Sequence, residues 1–358
     1  MRWIFNIDSH QSTSASRKKK EKIGMIMDQR KRPLRDLRIS VLDRCNFRCQ
    51  YCMPAEIFGQ DYPFLAKKQL LTYEEIARLA KIFVSLGVEK IRLTGGEPLM
   101  RKELEVLVAK LVRIKGLKDI ALTTNGVYLP KYAKALKTAG LQRVNISLDS
   151  LDDAVFAKIN GRGVAVKPVL KGIEHAQAAG LDVKINMVVK KGVNDGEILP
   201  MAHFCKNVGI QLRFIEYMDV GNTNGWKMDE VMTKKEIFQL LQEDFMMEAV
   251  DPLYFGEVAK RYRYQGTNGE VGFVTSVSEA FCSSCTRGRL SCDGKFFTCL
   301  FNGTGHDLRE DLRRGKPDED IRRKIAAIWN RRFDRYSEER LSETIEKTQK
   351  AEMSYIGG

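Results

Sequence analysis

The sequence predicts an α/β protein, a partial (β/α)6 barrel of the TIM type followed by a smaller C-terminal module. Three observations carry that expectation. Short β-branched or apolar runs alternate with stretches of helical period from about residue 37 to about residue 245, and parallel neighbours need such crossover helices. Six units are too few to close an eight-stranded barrel, and no glycine-rich dinucleotide fingerprint follows the first run, which disfavours a Rossmann sheet. After about residue 250 the alternation dissolves into turn-rich sequence such as Gly266-Thr267-Asn268-Gly269, as an appended module would show.

The first strand is expected over Leu37 to Leu42. A helix follows from Tyr73 to Leu86, opened by Thr72 with Glu75 three residues on, the pattern of a capping box. The second strand, Lys90 to Thr94, ends in Gly95-Gly96-Glu97-Pro98, and a helix covers Lys102 to Ile114. Strands Ile120 to Thr124, Arg143 to Leu148, Val183 to Val189 and Gln211 to Met218 continue the series. Helices Pro130 to Ala139, Val166 to Ala179 and Glu197 to Asn207 separate them. Function in such barrels gathers at the C-terminal strand ends. Here those ends are mostly polar: Asp43-Arg44-Cys45, Thr94 to Glu97, Thr124-Asn125-Gly126, Leu148-Asp149-Ser150 and Glu216-Tyr217-Met218.

Around the barrel, taken as residues 31–245, three further regions are expected. Residues 1–30 read as a basic, disordered leader without the apolar stretch of a secretory signal, and part of the charge excess sits in the first 36 residues, at Arg17-Lys18-Lys19-Lys20 and Arg30-Lys31-Arg32. The module occupies 246–350, with helical stretches from about Asp318 to Lys347. The tail, 351–358, ends Tyr355-Ile356-Gly357-Gly358 and is not expected to be helical, because glycine loses the most freedom on ordering.

Composition narrows the function classes. Hydrophobic residues make up 43% and charged residues 30%, as in globular proteins, and no apolar run approaches the roughly 20 residues of a membrane-spanning helix. The net charge of +14 suits nucleic acid, an acidic membrane surface or a polyanionic small substrate, and does not choose among them.

Of eight cysteines, six fall into two groups. Cys45, Cys49 and Cys52 follow the first strand, close enough to occupy three corners of a [4Fe-4S] cube and leave the fourth iron open. A zinc knuckle would lack its fourth ligand in this loop. Cys282 and Cys285, with Cys299, form the second group. It suits a second open cluster, or a zinc site completed by Cys292, His306 or a carboxylate.

The first loop, with Tyr51 before its last cysteine, resembles the defining motif of the radical S-adenosylmethionine (SAM) superfamily, and Gly95-Gly96-Glu97-Pro98 is similar to its segment beside the SAM methionine. Two glycines would let backbone carbonyls approach the cofactor, while Glu97 supplies negative charge or fixes the turn. The stretch from Phe281 to Leu290 resembles the C-terminal cluster motif of the molybdenum cofactor biosynthesis protein A family, and similarity to that family extends from Arg35 to the final glycines. The resemblance implies two [4Fe-4S] clusters, held by Cys45, Cys49, Cys52 and by Cys282, Cys285, Cys299, with SAM bordered by Tyr51, Gly96, Ser147 and Met218. It implies conversion of GTP to (8S)-3′,8-cyclo-7,8-dihydroguanosine 5′-triphosphate, the first step of molybdenum cofactor biosynthesis. GTP would meet Arg38, Arg92, Thr123, Lys184, Arg287 and Arg289, with Arg213 a further candidate; catalytic roles fall to Arg287, Arg289, Gly357 and Gly358.

Arginines within strands fit such a polyanion, since a buried guanidinium needs an anionic partner. The resemblance further implies a cytoplasmic enzyme, a reductant protein such as flavodoxin or ferredoxin, and a downstream cyclic pyranopterin monophosphate synthase. A homodimer is an open expectation; nucleic acid and membrane are not expected as partners. Two rival readings stand beside this one. A radical SAM enzyme with an auxiliary cluster acting on a peptide would need a peptide groove, and a basic zinc-bearing nucleic-acid binder would not explain cysteines at a strand end.

Overall fold

The computed structural model of the chain describes residues 24–340 and 349–358. Six strands lie side by side in chain order, all parallel: β1 (Asp36–Ser40), β2 (Lys90–Thr94), β3 (Asp119–Thr124), β4 (Arg143–Ser147), β5 (Asp182–Val189) and β6 (Gln211–Glu216). Successive side chains point to opposite faces. Leu37 and Ile39 of β1 enter the apolar core, whereas the alternate residues Asp36 and Arg38 line an internal cavity.

Helices α1 (Tyr73–Ser85), α2 (Leu104–Val112) and α3 (Leu129–Thr138) make the first crossovers, α4 (Asp153–Asn160) and α5 (Lys167–Ala178) share the fourth, and α6 (Ile198–Asn207) precedes β6. The box at the start of α1 is closed: Glu75 N–H donates to Thr72 Oγ1 at 3.1 Å and Thr72 N–H to Glu75 Oε2 at 2.7 Å. The period did not announce α4, a short helix capped by Asp152, whose side chain accepts from Val155 N–H.

After α7 (Lys234–Asp244), the C-terminal region does not stand apart from the barrel. Strands β7 (Met247–Val250), β8 (Lys260–Tyr264) and β9 (Glu270–Val274) extend the sheet beyond β6, and β10 (Arg287–Leu290), β11 (Lys295–Phe297) and β12 (His306–Asp307) extend it beyond β1. Both joins, β6 to β9 and β1 to β10, are parallel. The C-terminal module thus takes the form of two extensions of one twelve-stranded sheet. The reason is physical: an open barrel leaves a ladder of unpaired backbone groups at each edge, and these strands satisfy both. Helices α8 (Arg309–Arg313), α9 (Asp318–Asn330) and α10 (Tyr336–Glu339) follow. The helical expectation from residue 341 lies outside the described residues.

Residues 1–23 lie outside the described residues; at the end of the expected leader the chain is anchored at Asp28, although Met25 and Met27 stay exposed. Asp28 is buried, pairs with Arg32 Nε at 2.5 Å and lies 3.5 Å from Arg332, while Trp329 Nε1 donates to Arg32 O. In the tail, Tyr355 and Ile356 close a one-turn helix, α11 (Met353–Ile356), and only Gly357 and Gly358 lie beyond it. Tertiary packing overrides the local entropy: Ile356 and Phe297 share a small apolar cluster, and Tyr355 Oη donates to Asp293 Oδ1 at 2.5 Å. Among the described residues, no helix is long and apolar enough to cross a membrane.

Candidate active site

The barrel encloses a cavity of about 460 Å³, and the side chains singled out from the sequence converge on it. Both cysteine groups line it, as do Tyr51, Gly96, Ser147 and Met218. So do Arg38, Arg92, Thr123, Lys184, Arg213, Arg287 and Arg289, together with Gly358. Gly357 is not part of the wall, but its carbonyl accepts from Arg289 Nη1. The six grouped cysteines are half-buried and line the cavity, with no disulfide among them; Cys205 and Cys292 are buried and do not line it.

The first loop is held by its own backbone. Arg48 reaches back to donate to Cys45 O at 2.7 Å and Phe47 O at 2.8 Å, and its Nε donates to Phe58 O at 2.6 Å. Gly95 and Gly96 press against the same loop. Gly96 N–H donates to Leu42 O at 2.7 Å, Glu97 N–H donates to Arg44 O at 2.8 Å, and a Cβ on Gly96 would lie 2.2 Å from Arg44 O. Access for cofactor contacts was the expected use of these glycines. The structure gives a different steric demand, close approach of the β2 end to the strand end that carries Cys45. Glu97 ties the next strand end in as well, accepting from Thr124 Oγ1 and Asn125 N–H, each at 2.8 Å. Burial pushes its carboxyl up to about 7 against these hydrogen bonds.

Burial, then Glu97, pushes the Cys45 thiol up to about 12, and burial raises Cys49 and Cys52 as well. These groups become thiolates when a metal takes the proton's place. Three soft donors on one loop, facing a cavity, fit a [4Fe-4S] cluster. Tyr51 Oη donates to Asp149 Oδ2 at 2.7 Å, and Asp149 Oδ1 accepts from Val188 N–H at 2.8 Å, so the loop is pinned to the ends of β4 and β5.

Around the second group the electrostatics differ. Burial would raise Cys285, yet Arg287 and Arg332 outweigh it and bring the thiol down to about 6; Arg287 Nη2 donates to Cys285 Sγ at 3.3 Å. Arg332 also donates to Cys285 O at 2.8 Å and to Asp334 at 3.0 Å. Of the fourth donors that the sequence left open, Cys292 and His306 are off the wall, while the carboxylate of Asp334 lies on it.

Between the groups runs a cationic wall. Register places Arg289, Arg38 and Arg92 directly opposite one another on β10, β1 and β2. Burial, then Arg289, Arg92 and Arg287, hold Arg38 well below the usual guanidinium range. Burial and Arg213 bring Lys184 down to about 8. The Nε atoms of Arg38, Arg92, Arg143 and Arg213, and Thr123 Oγ1, are buried without a protein partner. Orphaned donors in a like-charged cluster fit an anion with several oxygens.

Sequence reasoning passed over Arg143 and Asn186, which line the cavity with unpartnered polar atoms. A signal was present: Asn186 lies in register between Ser147 and Arg213, two residues after Lys184, so period two places it inward. Arg332 and Asp334 carry no local signal; a turn after α9 brings them to the second cysteine group.

Comparison with known proteins adds to this geometry. Residues 39–205 match the Radical SAM superfamily and residues 210–338 match Molybdenum Cofactor Synthesis C. The chain is 50% identical over 339 residues to the GTP 3′,8-cyclase of Staphylococcus aureus strain MRSA252, covering 94% of this chain and all of that one. The enzyme of strain JH9 matches equally. Among solved structures, Streptococcus suis SuiB bound to S-adenosylmethionine aligns with a TM-score of 0.58 at 16% identity, over 83% of this chain and 69% of SuiB. At that identity it shows the fold alone.

Proposed function

This chain belongs to the GTP 3′,8-cyclase family of radical SAM enzymes, and from that membership we propose how its residues divide the work of cyclising GTP to (8S)-3′,8-cyclo-7,8-dihydroguanosine 5′-triphosphate, the first step of molybdenum cofactor biosynthesis. Cys45, Cys49 and Cys52 hold one [4Fe-4S] cluster, and Cys282, Cys285 and Cys299 hold a second. When bound, the first cluster supplies the electron that splits SAM into methionine and a 5′-deoxyadenosyl radical. Tyr51, Gly96, Ser147 and Met218 border SAM at the strand ends.

The triphosphate lies on Arg38, Arg92, Thr123, Lys184, Arg287 and Arg289, with Arg213 a further donor. Arg289 stands between it and the tail, through its hydrogen bond to Gly357. Guanine faces the second cysteine group. In cyclisation the ribose C3′ hydrogen atom would pass to the 5′-deoxyadenosyl radical, giving 5′-deoxyadenosine; C3′ then bonds to C8 of guanine as the C8–N7 double bond opens, and one electron and one proton complete the 7,8-dihydro product. The chain contributes orientation and exclusion of water, since a cavity walled by fixed dipoles holds the two carbons together and keeps stray hydrogen donors out. An external one-electron reductant of the flavodoxin or ferredoxin kind, and a synthase carrying the product on to cyclic pyranopterin monophosphate, complete the proposal.

The observation that carries it is the row Arg289–Arg38–Arg92 on the cavity wall, in which the Nε atoms of Arg38 and Arg92 are buried without a protein partner. The test is anaerobic incubation of the reconstituted enzyme with SAM, GTP and dithionite, following 5′-deoxyadenosine release and GTP loss. Arg289→Ala is expected to slow GTP loss by roughly 100-fold, as for one partner of a buried charge pair, while leaving SAM cleavage measurable. SAM cleavage by the wild type with GTP untouched would remove the substrate assignment.

A further inference from the structure

One buried charge cluster has no part in the chemistry above. Asp219 follows Met218 just past the end of β6 and is 12% exposed, with its partners Arg340 at 3% and Lys350 at 14%. Its carboxylate accepts from Arg340 Nε at 2.7 Å, Lys350 Nζ at 2.7 Å and Tyr336 Oη at 2.5 Å, and Lys350 Nζ donates again to Asp219 O at 2.7 Å. These donors come from α10, from Arg340 just past it and from Lys350 immediately before the tail, 117 to 131 residues further along the chain. Arg340 also donates to the carbonyl of Ser276 on the cavity wall.

The tail is tracked onward from this point. Glu352 accepts from Asn222 N–H at 3.1 Å and Thr223 Oγ1 at 3.3 Å. Gly221, at φ +64°, leaves it room, since a Cβ there would lie 2.2 Å from Glu352 Oε2. Five residues later Gly357, at φ +79°, passes Thr94 so closely that a Cβ would lie 2.2 Å from Thr94 Cγ2, and Gly358 reaches the cavity. The loop after Met218 therefore meets the tail at two successive points before the glycines arrive.

We propose that Asp219 is a positioning residue: through Lys350 it sets the register of the C-terminal tail on the Met218 loop and thereby seats Gly357-Gly358 beside the substrates. This rests on the reading that the tail takes part in GTP cyclisation. A carboxylate sharing several donors in a poorly hydrated pocket holds geometry that a neutral amide does not, because the amide leaves Arg340 and Lys350 without a counter-charge.

The reconstituted enzyme and four variants test it: Lys350→Gln, Lys350→Arg, Asp219→Asn, and a chain lacking Gly357 and Gly358. Two quantities are read, GTP consumed per 5′-deoxyadenosine formed, and the rate at which carboxypeptidase trims the tail, followed by intact mass. Lys350→Gln and Asp219→Asn are expected to lower the ratio and speed trimming roughly tenfold each, as a broken buried pair frees the segment it held. Lys350→Arg keeps the charge and is expected to match wild type in both. If the shortened chain loses GTP consumption while Lys350→Gln keeps a wild-type ratio and trimming rate, the clamp is overturned and the tail reading stands. If the shortened chain consumes GTP normally, the tail reading falls and the clamp falls with it. Should Asp219→Asn fail to fold, Lys350→Gln decides, since it changes the tail side of the pair and leaves the Arg340 contact intact.

Discussion

Arg38→Met separates what the cationic wall does for binding from what it costs the fold. Arg38 stands opposite Arg289 on one side and Arg92 on the other, across strands about 4.8 Å apart. With the guanidinium charges splayed to about 8 Å and an effective dielectric near 20, each repulsion is roughly 2 kcal/mol, and water in the cavity reduces the net cost to about 1–3 kcal/mol. Methionine keeps much of the apolar stem and removes the charge. In the absence of GTP the variant is therefore expected to be more stable than wild type. At about 2.1 cal/mol/K per residue over 358 residues, a kcal/mol moves the melting point by roughly 1.3 °C, so a rise of about 1–4 °C follows.

GTP reverses the order. A ligand at 100 times its Kd stabilises by about 2.7 kcal/mol; if losing Arg38 weakens binding about 100-fold, the same concentration gives only about 0.4 kcal/mol. Anaerobic scanning calorimetry of both proteins with and without GTP, SAM being left out so that nothing turns over, reads both effects. A lower melting point for the GTP-free variant, or an undiminished GTP-induced shift, refutes the reasoning.

Three further outcomes follow from the same geometry. Gly96→Ala drives a Cβ into Arg44 O and is expected to cost about 3 kcal/mol and displace the first cysteine loop; reconstituted iron should fall by about half, and an unchanged iron content contradicts the packing argument. Asp28→Ala leaves Arg32 buried without its carboxylate and should destabilise by about 3–5 kcal/mol in urea unfolding, whereas a true leader residue would show no change. Glu97 is held near 7 when folded, against an ordinary 4.5, so the folded state binds the proton more tightly and loses roughly 3 kcal/mol as pH rises through that interval. Glu97→Gln should flatten the stability profile between about pH 4.5 and 7; identical slopes in the two proteins would remove Glu97 as the cause.

Much of the barrel was legible because its information is local. Alternation of period two located β2 to the residue and β1, β3, β4, β5 and β6 to within two residues at each end, and Thr72 with Glu75 announced the start of α1. Helix α4 escaped because eight residues hold barely two turns of pattern. The cysteine spacings and the glycine-rich turn were visible as strings, although the reason for Gly96 was not: Arg44 O, which a side chain would strike, sits more than 50 residues earlier in the chain.

What the sequence by itself determined was the kind of chemistry and the elements that carry it: thiols after the first strand, cations within strands, glycines at the end. Only the tertiary structure decided that β9 and β10 join opposite edges of the sheet, that both thiol groups face one cavity, that Asp28 pairs with Arg32 in the interior, and that the tail docks through Asp219 and Glu352. Periodicity records which face of an element is buried. It does not record which distant element buries it, and that choice is made by unpaired strand edges and uncompensated charges, satisfied only once the whole chain is folded.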